Sequence, residues 1–318
     1  GAVFIPPGAL ARLLLAQISG LPALGDWPET FSTILFQIRL PHTVLMALTG
    51  AALAGSGAAY QGLFRNPLAD PYLIGVASGA GLGAVMAMAY RWPVDLLGLF
   101  GVPAAAFIGA TLTVAVVYLL AKTGSALPAT TLILAGVAVG SFASAVTSFL
   151  MLRSVGEVRR ALAWLLGGAA ISGWPPVVAS LPYILIGLSV LLVSGQALNV
   201  MQFGDEQAQQ LGLPVQRTRT IMILAASLAT AAAVAFSGVI GFIGLIVPHL
   251  ARLLWGPDYR RLLPLSILGG AITLLVADML ARVVLAPQEL PVGVITALAG
   301  APFFLWVLRR SNRALVRD

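Results

Sequence analysis

The chain is built from a series of apolar blocks, separated by short segments rich in charge, proline and glycine. Eight clear blocks cover residues 40–63, 72–90, 97–121, 129–152, 176–199, 218–237, 262–283 and 292–308. Most are about 20 residues long, which is the length of helix that crosses a bilayer. A ninth block, 241–256, is shorter and carries Pro248, His249 and Arg252. It predicts a short helix or a re-entrant turn buried in protein. The sequence therefore predicts an all-α, polytopic transmembrane bundle with about nine membrane helices.

The composition excludes a soluble globular protein. Apolar residues make up 59% of the chain and charged residues 9%, whereas soluble domains carry about 25% charge. The formal net charge is +7, and every basic residue but Lys122 is an arginine that lies mostly between apolar blocks. This distribution indicates membrane orientation and no nucleic-acid partner.

The first 30 residues contain several prolines and acidic residues, which predicts an extracytoplasmic loop with a short helix. Counting crossings from there places these basic residues on the cytoplasmic side: Arg65, Lys122, Arg217, Arg219, Arg260, Arg261, Arg309, Arg310, Arg313 and Arg317. Four arginines fall on the outer side: Arg91, Arg153, Arg159 and Arg160. The four arginines of the C-terminal tail, residues 309–317, contribute most to this orientation. We treat residues 1–318 as a single transmembrane domain.

Several kinds of chemistry are excluded by residue type. The chain has no cysteine and only two histidines, His42 and His249, so a conventional catalytic metal site is not expected. The one lysine, Lys122, does not stand in a phosphate-binding loop. We expect no catalytic residue, no metal ligand and no cofactor in this chain. Active transport would need either an ion gradient or a separate ATPase.

The two energy sources have different candidate residues. Asp278 and Arg282 lie four residues apart on one helix face and form either a proton relay or a structural ion pair; we favour the ion pair. Residues 204–214 form a polar island that predicts a short surface helix. Asp205 suits its N-cap, Gly212 its C′ position and Pro214 its end. This helix is either a rigid lever for a partner or an ordinary solvated loop helix.

Small residues recur at helical spacing in two places. Gly75, Gly79 and Gly83 form one series, and Gly136 and Gly140 form another. Close helix packing is the favoured interpretation, and a flexible helix beside a substrate pathway is the alternative.

Five motifs point to one family. They are Arg39-Leu40-Pro41-His42, the Gln61-to-Pro71 segment QGLFRNPLADP, Glu206-x-Ala208-x-x-x-Gly212, the Gly241-to-Arg252 segment GFIGLIVPHLAR, and Glu289-Leu290-Pro291-Val292-Gly293. Together they resemble the FecCD family of ABC importer permeases for vitamin B12, haem and ferric siderophores, from the first residues to about Arg310. The resemblance implies a homodimeric bundle of about ten helices per chain in the bacterial cytoplasmic (inner) membrane. Residues 1–5 resemble the loop after the first family helix, so that helix is expected to be absent from the numbered chain.

The resemblance also implies residue roles. Coupling to the ATPase falls on Asp205, Glu206, Ala208, Gly212 and Leu213. Docking of an extracytoplasmic substrate-binding protein falls on Arg39, His42 and Arg282. A translocation gate falls on Asn66, Pro67, Leu68, Ala129 and Thr130. His42 departs from the family pattern, and as an ordinary histidine it would be charged only below about pH 6.5.

The implied partners are a second copy of the chain, two ABC ATPase subunits, the binding protein and the lipid membrane. ATP and Mg would be bound by the ATPases. The alternative is a gradient-driven secondary transporter that uses Asp278.

Overall fold

The computed structural model describes residues 3–19, 28–90, 98–124, 127–168, 172–286 and 288–315. Its helices are α1 (Pro7–Ser19), α2 (Glu29–Thr33), α3 (Leu40–Leu63), α4 (Val76–Ala89), α5 (Gly101–Ala121), α6 (Ala129–Arg153), α7 (Val158–Leu165), α8 (Pro175–Val193), α9 (Gly195–Met201), α10 (Asp205–Gln210), α11 (Val215–Ser237), α12 (Ile243–Trp255), α13 (Tyr259–Val283) and α14 (Val292–Leu315). A π-helical stretch, Ile34–Arg39, joins α2 to α3. No residue of these ranges lies in a β-strand, so the all-α prediction is confirmed.

Each of the nine predicted blocks contains a helix. Six described helices are long and apolar enough to cross a membrane: Glu29–Leu63, Gly98–Ala121, Ala129–Arg153, Pro175–Val193, Val215–Ser237 and Tyr259–Val283. Three apolar helices are shorter: Val76–Ala89, Ile243–Trp255 and Val292–Leu305. The short helix expected within 241–256 is therefore present, and so is a helix within the first 30 residues.

Two predicted blocks differ from the helices that form. Block 72–90 becomes helical only at Val76, because side chains shape turns before it. The Asn66 amide oxygen accepts a hydrogen bond from the Leu68 N–H, and the Asp70 carboxylate accepts one from the Tyr72 N–H. Block 176–199 splits into α8 and α9 around Ser194, whose hydroxyl donates to the Val190 carbonyl at 2.7 Å.

Helix α3 lies at the centre of the bundle and packs against α8, α11, α12 and α13. Glycines make these contacts possible. A Cβ at Gly50 would collide with the backbone of Gly270 in α13, and one at Gly57 would collide with Gly244 in α12. All fifteen residues from Thr49 to Leu63 are buried, and most of them are glycine or alanine, so the core depends on close backbone contact rather than on large side chains.

Helices α4, α5 and α6 form a layered unit beside this core. A Cβ at Gly79 would meet Thr113 of α5, one at Gly83 would collide with the Ala105 carbonyl, and one at Gly136 would collide with the Leu73 carbonyl. The predicted glycine series are therefore helix-packing positions. On its other side α6 exposes large apolar residues: Leu134, Val137, Phe142, Phe149 and Leu152.

Candidate coupling and translocation site

The short helix α10 begins differently from the prediction. Gly204, with φ of 107°, stands at the N-cap, and Asp205 is the first helical residue. The Asp205 carboxylate accepts two hydrogen bonds from Arg219 Nη2, at 3.0 and 2.9 Å. The N-cap assignment of Asp205 was wrong because a bidentate charged partner attracts the carboxylate away from the helix end. Glycine takes the cap position because φ is positive there.

The C-terminus of α10 matches the prediction. Gly212 has φ of 85°, and its N–H donates to the Gln209 carbonyl at 2.9 Å. The Leu213 N–H donates to the Ala208 carbonyl at 3.0 Å. This pair of bonds is the Schellman motif, in which glycine occupies the left-handed C′ position. Helix α10 is thus held in shape at its end.

One face of α10 is anchored and the other is exposed. Ala208 is 0% exposed and belongs to the main hydrophobic core. Glu206 is exposed, as are the two apolar residues that flank the helix, Phe203 and Leu211. A carboxylate between two exposed apolar groups forms a compact surface suited to a protein partner.

Arg219 connects α10 to the start of α6. It is only 4% exposed, and its Nη1 donates to the Leu127 carbonyl at 3.0 Å. The Leu127 N–H donates to Gln216 Oε1 at 3.1 Å. Leu127 lies two residues before α6. Its backbone N–H and its carbonyl are both held by side chains from the first turns of α11.

The segment before α10 also contacts the end of α3. Gln202 Nε2 donates to the Gly62 carbonyl at 3.0 Å. A Cβ at Gly204 would lie 3.4 Å from Arg65 Nη1, so the Arg65 side chain passes over this residue. Asn66 follows Arg65 directly. The α10 region is therefore linked to residues next to both segments that the sequence analysis assigned to the gate: Arg65 precedes Asn66, and Leu127, held by Arg219 of α11, lies two residues before Ala129.

The expected gate residues lie on those two segments. Asn66, Pro67 and Leu68 form the turn after α3, and Ala129 and Thr130 begin α6. Pro67, Leu68 and Thr130 are exposed. Their role in gating stays a prediction.

A cavity of about 770 Å³ lies between α4 and α6. Its lining includes Gly75, Gly136 and Gly140, which the sequence analysis singled out for packing, and Asp70, which it did not. Burial raises the pKa of the Asp70 carboxyl to about 6, and the hydrogen bond from the Tyr72 N–H acts in the opposite direction. The hydroxyls of Ser78, Ser141 and Ser144 complete the polar lining.

Two of the three residues predicted to dock a binding protein, His42 and Arg282, form a charge cluster around one carboxylate. Asp278 contacts Arg282 Nη2 at 2.9 Å through one oxygen and His42 Nε2 at 3.0 Å through the other. The structure confirms the Asp278–Arg282 ion pair. His42 and Arg282 share this acidic partner because α3 packs against α13. Arg39 donates from Nη2 to the Val3 carbonyl.

His249 is half-buried on α12, and within the described residues it makes no hydrogen bond. Arg252, one turn further along α12, instead makes the polar contact: its Nη2 donates to Gln61 Oε1 at 2.9 Å.

A bundle of membrane-length helices, with a capped surface helix bound to the segments beside a cavity, defines a membrane permease. The chain belongs to the FecCD transport family, which matches residues 1–310. It is 50% identical to the "Cobalamin import system permease protein BtuC" of Halobacterium salinarum, over 99% of this chain and 84% of that protein. It is 43% identical to the "Uncharacterized ABC transporter permease protein YvrB" of Bacillus subtilis, over 98% of this chain and 89% of that protein.

A solved structure has the same fold. It is described as an inward-facing conformation of a metal-chelate type ABC transporter, and it matches with a TM-score of 0.82 and 30% identity. The match covers 95% of this chain and 98% of that one. The protein is therefore a multi-pass membrane permease of the ABC transporter type.

Proposed function

We propose that two copies of this chain form the translocation pathway of a binding-protein-dependent ABC importer in the bacterial cytoplasmic membrane. ATP hydrolysis occurs in two partner ATPase subunits, which bind ATP and Mg. The hydrogen bonds that link the α10 region to Gly62 and Leu127, a few residues before the two candidate gate segments, support this proposal. A partner that moves α10 acts on both segments at once.

The cavity between α4 and α6 supports a pathway formed by two copies. One chain supplies glycine, serine and one carboxylate to its lining, and α6 exposes an apolar face beside it. A second copy placed against α6 would cover apolar surface and close the cavity. No cysteine or histidine lines this cavity, and its one carboxylate, Asp70, accepts a hydrogen bond from the Tyr72 N–H, so few groups there compete with a chelator for its metal.

The substrate class we propose is a metal chelate: cobalamin, haem or a ferric siderophore. A relative that is 50% identical is named for cobalamin import, and the matching structure is described as metal-chelate type. Cobalamin is therefore the first substrate to test, followed by haem and ferric siderophores.

Docking of the substrate-binding protein is proposed at Arg39, His42 and Arg282. Because Asp278 is paired with two of them, the net positive charge of this surface is lower than the residue types suggest.

The coupling assignment is tested by reversing one exposed charge. Glu206→Arg is expected to abolish ATP-dependent uptake in proteoliposomes while the protein remains folded, because the ATPase would meet a cation where it binds an anion. Gly212→Trp is expected to act in the same way, since φ of 85° does not suit tryptophan.

Glu29→Arg is the matched control, an exposed charge reversal at the start of α2. It is expected to leave ATPase co-purification unchanged. Wild-type uptake by the Glu206→Arg protein would refute the coupling assignment.

A further inference from the structure

We propose that Arg219 is the positioning residue that transmits movement of α10 to the start of α6. This inference rests on the proposed function, since it assigns the path by which an ATPase bound to α10 would move a pathway-lining helix. Nothing in the sequence motifs marks Arg219, which was expected only as a charge at the end of a span.

Burial shows that Arg219 is committed to its partners. Its side chain is 5% exposed, whereas the Asp205 side chain is 35% exposed on a surface helix. A buried guanidinium without a counter-ion is strongly destabilising, so Arg219 has to follow the carboxylate when α10 moves. The charge pair therefore links a surface element to the interior.

One planar group makes both connections. Nη2 holds the two oxygens of Asp205, and Nη1 of the same guanidinium holds the Leu127 carbonyl. The guanidinium is rigid, so the direction of one set of hydrogen bonds fixes the direction of the other. A displacement of Asp205 therefore moves Leu127, because no rotatable bond separates the nitrogens that hold the two residues.

The next residues transfer that displacement to α6. Leu127 is 3% exposed, so its side chain is enclosed by the core. Pro128 follows it, has φ of −65° fixed by its ring, and is the N-cap of α6. A shift of the Leu127 peptide therefore changes the position of Ala129 and Thr130 rather than being absorbed by the loop.

The experiment uses the whole transporter in proteoliposomes and exploits the absence of cysteine. Thr130→Cys places one thiol at the exposed start of α6. Its rate of labelling by a water-soluble maleimide is measured with and without a non-hydrolysable ATP analogue. In the otherwise unchanged chain, we expect the nucleotide to alter this rate.

Arg219→Lys is the test variant, because lysine keeps the charge but cannot hold Asp205 and Leu127 with one planar group. We expect normal ATPase co-purification, loss of the nucleotide effect on labelling, and uptake per ATP reduced by about 10-fold, which is within the usual range of allosteric coupling. Asp205→Asn changes a partly exposed residue, leaves Arg219 in place, and is expected to give the same loss.

Arg217→Lys is the control, an exposed arginine in the first turn of the same helix. It is expected to keep the nucleotide effect. If Arg219→Lys and Asp205→Asn both keep it as well, the transmission role is overturned and the proposed function stands. If the unmodified protein binds no ATPase, the proposed function fails and this inference fails with it.

Discussion

At the scale of single residues, function in this chain depends on where it places charge inside an apolar bundle. Arg219 is buried and Asp278 is half-buried, and both have partners of opposite charge within 3.0 Å. Asp70 differs, because its close partner is the Tyr72 N–H. These environments predict different responses to the loss of a charge.

Asp278→Asn removes the carboxylate that Arg282 and His42 share. We expect the free energy of unfolding to fall by about 1–3 kcal/mol, because two enclosed groups lose a charged partner. ATP-driven uptake is expected to persist. Thermal unfolding in lipid nanodiscs and uptake assays measure the two effects.

Glu157→Gln is the comparison, since Glu157 is 3.9 Å from its partner Arg160, which is 62% exposed. Its stability should change little. A proton relay predicts the reverse for Asp278→Asn: unchanged stability with lost uptake.

Asp70→Asn should raise the melting temperature at pH 8. Burial raises the pKa of Asp70 to about 6. The stability that the protonated group contributes is therefore complete below about pH 4 and lost as the pH rises through 6. Asparagine keeps the acceptor for Tyr72 without charge, so the gain should shrink towards pH 4.5.

Asp258→Asn is the comparison of opposite sign. Hydrogen bonds from the Asn199 amide and the Arg260 N–H lower the pKa of Asp258. Its charged form contributes stability at neutral pH that is lost in acid. If the Asp70→Asn protein instead has the wild-type melting temperature at pH 8, the Asp70 carboxylate is well solvated in the folded protein.

At the scale of helices, the bundle depends on glycine where backbones meet. Gly50 in α3 and Gly270 in α13 face each other, and a Cβ at either position would collide with the other's carbonyl oxygen. The contact brings the helix carrying His42 against the helix carrying Asp278. Packing at these glycines therefore sets the geometry of the charge cluster as well.

Gly270→Ala is expected to lower the free energy of unfolding by about 1–3 kcal/mol, the usual effect of overpacking. Gly101→Ala in α5 is the control, because a Cβ there has no neighbour within 4 Å. It should be neutral or slightly stabilising. Equal melting temperatures for the two variants would mean that α3 and α13 separate easily.

At the scale of the whole molecule, the exposed face of α6 is the surface that a second copy is expected to cover. Val137 on α6 is 56% exposed and Ile108 on α5 is 51% exposed, so simple exposure does not distinguish them. Only Val137 borders the cavity between α4 and α6. Contact between copies should therefore run along α6.

Single cysteines test this arrangement without background, because the chain has none. In membranes, bifunctional thiol reagents of increasing length should join two copies through Leu134→Cys, Val137→Cys or Phe142→Cys. Ile108→Cys should stay monomeric under the same conditions. Crosslinking through Ile108 alone would place the contact on α5 and leave the cavity open.

Local features of the sequence were enough for the spans and for one end of α10. Each apolar block of the sequence contains a helix, although turns shorten block 72–90 and divide block 176–199, and Gly212, two residues before Pro214, ends α10 through its own backbone geometry. The start of α10 was not predictable in this way, because the Asp205 side chain is hydrogen-bonded to Arg219 of α11 and does not cap its own helix.

The sequence by itself determined an all-helical membrane permease, its packing glycines and its exposed α10. Only the tertiary structure decided which distant groups meet: Arg219 with Leu127, 92 residues apart, and His42 with Asp278, 236 residues apart. The physical reason is that apolar length and turn chemistry act between neighbours in the chain, whereas a buried charge is satisfied by whichever group the packing of helices brings within hydrogen-bond distance.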